Sequence, residues 1–402
     1  MRTCAIALLA SLGLGSGAAA QTSGSSPNEC VRCHEGLPEA RLSAPAAAVK
    51  DDVHVRSGFT CVDCHGGNAA EGDAQRAKAP ATGFRGVPRG AAQIATCARC
   101  HSDAELMRRF SPRQRIDQAA EYAVSGHGKR LAAGNATVAT CASCHGAHGV
   151  RFASDPKSPV HPTAVAATCG TCHTQRSDYE KSVHFHALTK RGDLSAPTCN
   201  DCHGNHGAAP PGVDAVANVC GTCHAVFASK FAASTHAQIF TCVECHGNHA
   251  VSPSSDEMLG ATAPGICTPC HGGADDLGFA TAGTMRSQIE RLKASIAHGE
   301  GLVERLRLSG MSVRDQDVAL DEARNRLVQA RMEVHAFSPS SQVEPVTSEG
   351  LQILSGVERA AQRLLVELRF RRRGLIASVA LILIVVGALA LKIRRLERRG
   401  DV

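Results

Sequence analysis

Aromatic residues are nearly missing from this chain: of 402 residues none is tryptophan, two are tyrosine, and rings of all kinds make up 3%. Such rings supply much of the area that ordinary cores bury, and the 43% hydrophobic fraction leans instead on alanine. A conventional core is therefore not expected over residues 30–271. Periodicity is missing there too. The connection from Gly66 to Thr96 is rich in Ala, Gly, Pro and Arg and follows neither a 3.6-residue nor a two-residue repeat. A loop of that length argues against a compact domain unless something other than secondary structure supplies the packing surface.

Cysteine, by contrast, is abundant, with 19 residues. Eighteen of them fall in nine C-x-x-C-H motifs: Cys30/Cys33, Cys61/Cys64, Cys97/Cys100, Cys141/Cys144, Cys169/Cys172, Cys199/Cys202, Cys220/Cys223, Cys242/Cys245 and Cys267/Cys270. The histidines that follow are His34, His65, His101, His145, His173, His203, His224, His246 and His271, and only Cys4 is left over. This is the attachment motif of a c-type haem: two thiols form thioethers to the porphyrin, and the adjacent imidazole binds iron. Zinc ribbons or disulfides are the alternative, but neither needs a histidine after every second cysteine, and zinc sites vary their inter-cysteine spacing. Nine covalent haems would take the place of the missing core and offset chain entropy as staples do in small scaffolds. Without them the segment is expected to be largely unfolded.

The formal charge is +6. Each ferric haem, with two propionates, subtracts about one charge, so the holoprotein is expected to be near neutral to mildly acidic. No nucleic-acid partner is expected. Met1 to Ala20 reads as a secretory signal, with Arg2, an apolar run from Ala5 to Ala10 and the small-residue site Ala18-Ala19-Ala20. Export fits haem attachment to thiols outside the cytoplasm.

Four imperfect repeats and a fraction of a fifth follow. Each has a first motif, a short segment carrying a histidine, and a second motif followed by glycine. The first runs from Cys30 through His54 to Cys61, the second from Cys97 through Ser125-Gly126-His127 to Cys141-x-x-Cys144-His145-Gly146-Ala147-His148. In the third, Cys169 leads through Ser182-Val183-His184 to Cys199 and His203-Gly204-Asn205-His206; in the fourth, Cys220 leads through Ser234-Thr235-His236 to Cys242 and His246-Gly247-Asn248-His249. Cys267 to His271 stands alone. Over residues 30–271 this pattern resembles the paired C-x-x-C-H multihaem cytochromes, electron carriers and conduits of bacterial periplasms. The resemblance implies closely stacked haem pairs with bis-histidine iron, wrapped by loops and short helices.

Seven histidines sit where second iron ligands are expected: His54, His127, His184 and His236 in the Ser-x-His register, although His54 lacks the serine, and His148, His206 and His249 in the Gly-x-His register. His161 and His186 complete a set of nine. Of the two left in the helical segment, His298 and His335, His335 is the better candidate, because the second helix returns toward the motif at Cys267. Asn68 and Ala274 stand where other repeats carry the Gly-x-His histidine, so an open iron, if there is one, is expected at Cys61/Cys64 or Cys267/Cys270. No motif replaces its proximal histidine with lysine, the variant of the nitrite-reductase family.

From Thr284 onward there is no cysteine, and helical periodicity is sustained. Met285, Ile289, Leu292, Ile296, Val303 and Leu306 form one stripe, broken only by Gly299 and stopped by Gly310. Ser312-x-x-Asp315 resembles a capping box ahead of Leu320, Ala323, Leu327, Ala330, Val334 and Phe337. A third stripe comprises Leu354, Val357, Ala361, Leu364 and Leu368. These spacings predict a helical hairpin plus a third helix, packed as in a coiled coil. The third helix is expected to continue into the apolar run Leu375 to Leu391, long enough to cross a membrane.

The expected fold is thus mostly α and irregular with little or no sheet. Its segments are a signal peptide (1–20), a nine-haem cytochrome segment (21–280), a helical stalk (281–373), a transmembrane helix (374–393) and a cytoplasmic tail (394–402). The resemblance implies an inner-membrane cytochrome with its haems in the periplasm, relaying electrons between a quinone-linked membrane complex and periplasmic cytochromes or reductases. The stalk could bind a partner or a second copy. A reductase or oxidase of small nitrogen or sulfur compounds, with one open haem, is the alternative.

Overall fold

The computed structural model describes residues 28–211, 218–260, 263–273 and 275–400, with side chains through residue 396. The expected signal segment and Ala274 lie outside the described residues. The described chain is mostly helical, without a strand, and divides into two compact units at Ala164/Val165.

In the first unit the helices are short, from the four-residue turns Val53–Arg56 and Ala74–Ala77 to Ala91–His101. Its buried apolar side chains are Ala46, Ala77 and Met107, so it has almost no apolar core of its own. The Gly66 to Thr96 connection is interrupted by the turns Ala74–Ala77 and Pro80–Thr82 and leads into the helix at Ala91. The second unit begins in the same manner, with Ala187, Leu188 and Ala196 as a small cluster.

From Leu277 the second unit changes character. A first long helix, Leu277–Leu308, is followed by a second, Arg314–Glu333, and a third, Glu344–Gly400. Met285, Ile289, Leu292, Ile296, Val303 and Leu306 from the first, Leu320, Ala323, Leu327 and Ala330 from the second, and Leu354, Val357 and Ala361 from the third form one buried cluster, as the three-four spacing predicts. Ion pairs lace the rim: Arg324 to Glu300 at 2.6 Å and Arg326 to Glu349 at 3.0 Å. The first helix starts earlier than its apolar stripe and runs unbroken through Gly299, which lies buried beside Leu320 and Leu354. The capping box at Ser312 and Asp315 does not form. Val313 occupies the N-cap without a side-chain hydrogen bond.

The third helix leaves the bundle and continues as an apolar, fully exposed stretch with a mean hydropathy of 2.8. It is long and apolar enough to span a membrane.

Candidate metal centres

The second motif of each repeat folds as one helical turn. Cys61–His65, Cys141–His145 and Cys199–His203 are five-residue helices. A single turn puts residues i, i+3 and i+4 on one face, so both thiols and the imidazole face the same side. Thr60, Thr140 and Thr198 cap these turns, each paired reciprocally with Asp63, Ser143 and Asp201. Thr241 is tied in the same way to Glu244, at 2.7 Å. Gly66, Gly146, Gly204 and Gly247 end the turns with φ between 68° and 80°, a region costly for any residue with a Cβ. Each motif is thus a local unit whose shape is set by the residues flanking it.

The histidine-bearing segments between the motifs are also capped. Ser125 Oγ accepts from Gly128 N at 2.9 Å and Ser182 Oγ from Phe185 N at 3.1 Å, both serines being fully buried. Asp52 plays the same part for His54: its carboxylate accepts from the His54 backbone N–H at 2.8 Å and lies 3.0 Å from His54 Nδ1. The repeat at His54 is therefore complete, with aspartate in place of serine. Both tyrosines of the chain stand three residues before a capping serine. Tyr122 donates to Ala139 O and Tyr179 to Pro197 O, both at 2.9 Å. Each acceptor lies two residues before the cysteine of a second motif, so a tyrosine ties the histidine segment to that motif.

The histidines come together in pairs. In the first unit His101 faces His54 with ring centres 6.0 Å apart, and His65 faces His148 at 5.9 Å. In the second, His224 faces His184 at 6.4 Å, His203 faces His249 at 5.9 Å, His271 faces His236 at 6.1 Å and His246 faces His335 at 6.1 Å. Every pair combines one motif histidine with one histidine outside the motifs. A metal–imidazole bond of about 2 Å on each side, with about 1 Å from nitrogen to ring centre, places two imidazoles trans on one metal at about 6 Å. The three second-motif pairs lie nearly parallel, at 12°, 17° and 16°, whereas the first-motif pairs make angles of 89°, 38° and 81°.

In these pairs the other ring nitrogen is often held. His65 Nδ1 lies 2.7 Å from Gly86 O, His203 Nδ1 3.2 Å from Ala209 O, His335 Nδ1 3.2 Å from Met332 O, and His271 Nδ1 2.9 Å from Asp276 Oδ1. A hydrogen bond at one nitrogen fixes the tautomer that presents the other to a metal. At His271 the approach is so close that a Cβ on Gly278 would fall 2.2 Å from Nδ1. Burial lowers the pKa of His148, His184, His236, His246 and His335, and the facing imidazole lowers it further for the first four. Neutral rings, able to donate to a metal, result.

The pairing follows the repeats. Within each unit His54, His184 and His236 face the first motif of the next repeat, and His148 and His249 face the second motif of the repeat before. Both sites expected to be short of a ligand, at His65 and His271, have an opposed imidazole. His34 instead has its Nδ1 3.0 Å from Leu42 O, with no ring opposite it among the described residues. His161, buried, has its Nδ1 2.8 Å from Thr163 Oγ1. The His186 ring packs beside Phe185 and its Nδ1 is buried without a hydrogen bond. Neither faces a motif histidine among the described residues; His186 lies two residues past His184 and so points away from it around the helix. His127, His145, His173 and His206 each make further interactions. His298 lies exposed on the first long helix.

The thiols expected to carry haem differ in how far the polypeptide covers them. Cys30, Cys61, Cys169, Cys199, Cys220 and Cys267, each the first cysteine of its motif, are half-buried, whereas their second cysteines Cys33, Cys64, Cys172, Cys202, Cys223 and Cys270 are exposed. Cys33, Cys172 and Cys270, which belong to first or solitary motifs, are therefore not enclosed in a binding site by protein alone. The physical reason is the scarcity of apolar side chains in this part of the chain: with so few buried, little is available to lie over a thiol at the far end of its turn. Both cysteines of the motifs at Cys97, Cys141 and Cys242 are half-buried.

Within each unit consecutive motifs adjoin. Burial raises the thiol pKa of Cys30 and Cys245, and the next motif adds to it through Cys61 and Cys267 respectively. Burial, then Cys242, pushes Cys220 up to about 11. Cys97 beside Cys141, and Cys199 beside Cys169, are raised first by a hydrogen bond between the thiols. The 18 described cysteines form no disulfide. Among the described residues no three His, Cys, Asp or Glu side chains converge to hold a metal ion. The opposed imidazoles offer two trans donors per site, which suits a metal that brings its own equatorial ligands.

No family model, curated protein or solved structure matches this chain.

Proposed function

We propose that the chain is a membrane-anchored nine-haem c-type cytochrome. One observation carries this reading: six motif histidines each face a non-motif histidine with ring centres 5.9–6.4 Å apart. The donor set fits haem, with two thiols and an imidazole on one face of a turn and a second imidazole opposite. Exposed second cysteines such as Cys33, Cys172 and Cys270 are open to thioether formation with a large planar group. Bound haem iron would supply one-electron redox chemistry, tuned by axial ligation and burial. The chain's own part is to hold the motif imidazoles oriented, through Gly86 O, Ala209 O and Asp276, and to seat motifs side by side within each unit.

That adjacency supports a relay, and the apolar end of the third long helix supports an inner-membrane anchor with the motifs on the periplasmic side. The partners would be a quinone-linked membrane complex and periplasmic cytochromes or reductases. Reduced protein should then reoxidise with one-electron acceptors and stay reduced in nitrite or hydroxylamine. Turnover of either compound by the purified protein would overturn the carrier reading.

A second reading, a reductase of small nitrogen or sulfur compounds, is favoured by His34, which among the described residues has no imidazole opposite. Electron paramagnetic resonance of the oxidised protein separates the two. A high-spin ferric signal that shifts with nitrite and is abolished in a Cys30→Ser/Cys33→Ser variant supports the reductase; uniformly low-spin iron excludes it.

A further inference from the structure

The interlocking of the repeats does not supply a ligand at the last second motif. The second motif of the fourth repeat, at His246, would take its opposed histidine from a Gly-x-His after the fifth motif, but His271 is followed by Gly272-Gly273-Ala274. The ring that faces His246 comes from elsewhere. His335, at the end of the second long helix, lies with its ring centre 6.1 Å from that of His246 and the planes within 16° of parallel. This is the geometry of the other two second-motif pairs, 5.9 Å at 12° and 5.9 Å at 17°.

His335 is held for that position. Its Nδ1 lies 3.2 Å from Met332 O. Phe227, on the short helix Ala225–Ala232 that follows the fourth repeat's first motif, packs edge-on against it with centres 5.1 Å apart. Lys230 of the same helix pairs with the nearly buried Glu333 at 2.8 Å. Two residues past His335 the backbone turns through Phe337 at φ 52°, the one described non-glycine residue with positive φ. Such a conformation is disfavoured for a residue with a bulky side chain. It sets the Phe337 ring 4.2 Å from His236, the histidine that faces His271. One turn of the hairpin therefore touches the ligand pairs of both terminal motifs.

We propose that His335 is the second axial ligand of the haem on Cys242/Cys245, so that the helical bundle is a working part of the redox segment as well as its support. This rests on the haem reading above. It makes the coordination of that haem depend on the fold of the bundle.

The test is a His335→Ala variant of the full-length holoprotein, with His335→Met as a second variant that keeps a side chain able to bind iron and His298→Ala as a control on the same bundle. Covalent haem per chain is counted first by pyridine haemochrome assay, and bundle folding is followed by circular dichroism. In His335→Ala the haem count should match the parent, with a new high-spin ferric signal of about one haem per chain that returns to low spin on addition of imidazole. His335→Met should stay low-spin with one haem shifted to higher potential, and His298→Ala should match the parent. An unchanged low-spin spectrum and unchanged potentials in both His335 variants, at full haem count, would overturn the assignment and leave the haem reading standing. A parent protein without covalent haem would remove the haem reading itself.

Discussion

The residues before 274 and those after 276 fold on different terms. The bundle from Leu277 to about Leu368 buries Leu, Ile, Val and Met in one continuous cluster, and its order follows from apolar area removed from water. In the first unit three small or flexible apolar side chains are buried, and the backbone is organised by caps, glycine turns and opposed imidazoles. The contrast teaches that capped single turns do not offset chain entropy alone, so under the proposed haem reading the second kind of region would need its cofactor as structure.

Preventing haem attachment should break the comparison most completely. In protein made without haem attachment, residues 28–273 should lose protection from proteolysis while a helical fragment beginning near Leu277 survives. Equal protection of both regions would mean that the motif segment has a core of its own. The converse lesion is Leu292→Ala, which empties a fully buried site in the bundle. It should destabilise the bundle by about 2–5 kcal/mol in denaturant titrations followed by circular dichroism, with covalent haem per chain unchanged.

The two regions meet in the second unit at Asp256, whose nearly buried carboxylate accepts from Arg331 at 2.7 Å and from Lys293 at 3.2 Å. The Arg331 hydrogen bond, opposed by burial and helped by Lys293, holds its pKa below the ordinary aspartate value. A depressed folded-state pKa gives stability that is present above about pH 4 and is lost as the pH falls toward the folded value. Asp256→Asn should therefore cost about 1–3 kcal/mol at pH 7 and progressively less below pH 4, as seen in melts across that range. A penalty independent of pH would show that the ion pairs are not its source.

The smallest effect sharpens the comparison from the motif side. Tyr179→Phe removes the hydroxyl that donates to Pro197 O and should cost about 0.5–1.5 kcal/mol, with greater mobility of His184 and of the motif at Cys199. Tyr122→Phe should act likewise at Ala139 and Cys141. If neither changes stability, the tyrosine tether is only a packing contact.

Much of this is legible in the sequence. The motifs, the repeats and the three apolar stripes are local patterns; the second motifs fold as single turns and the three stripes as the three long helices. Five of the seven expected ligand histidines, His54, His148, His184, His236 and His249, face a motif ring. The pairing across repeats is not legible, because spacing along the chain does not say which repeat reaches over another. Spacing points His335 toward the Cys267 motif, but it faces His246 instead, since the turn at Phe337 sets its direction. His161 and His186 complete the ligand set by number, but a count carries no direction. Nor does a motif say how deeply its thiols lie, and Cys33, Cys172 and Cys270 are exposed where Cys100, Cys144 and Cys245 are half-buried. The exchange of serine for aspartate at Asp52, and the tyrosine three residues before Ser125 and Ser182, are signals present in the sequence that only alignment of the repeats in space makes meaningful.

The central claim is that nine covalent haems, six of them between a motif and a non-motif histidine, are the core of residues 28–273. Covalent haem and iron per chain in the purified full-length protein test it most directly. Nine of each, with the protein mass raised by nine haems, is the predicted result; a value well below nine, or zinc in place of iron, would contradict it.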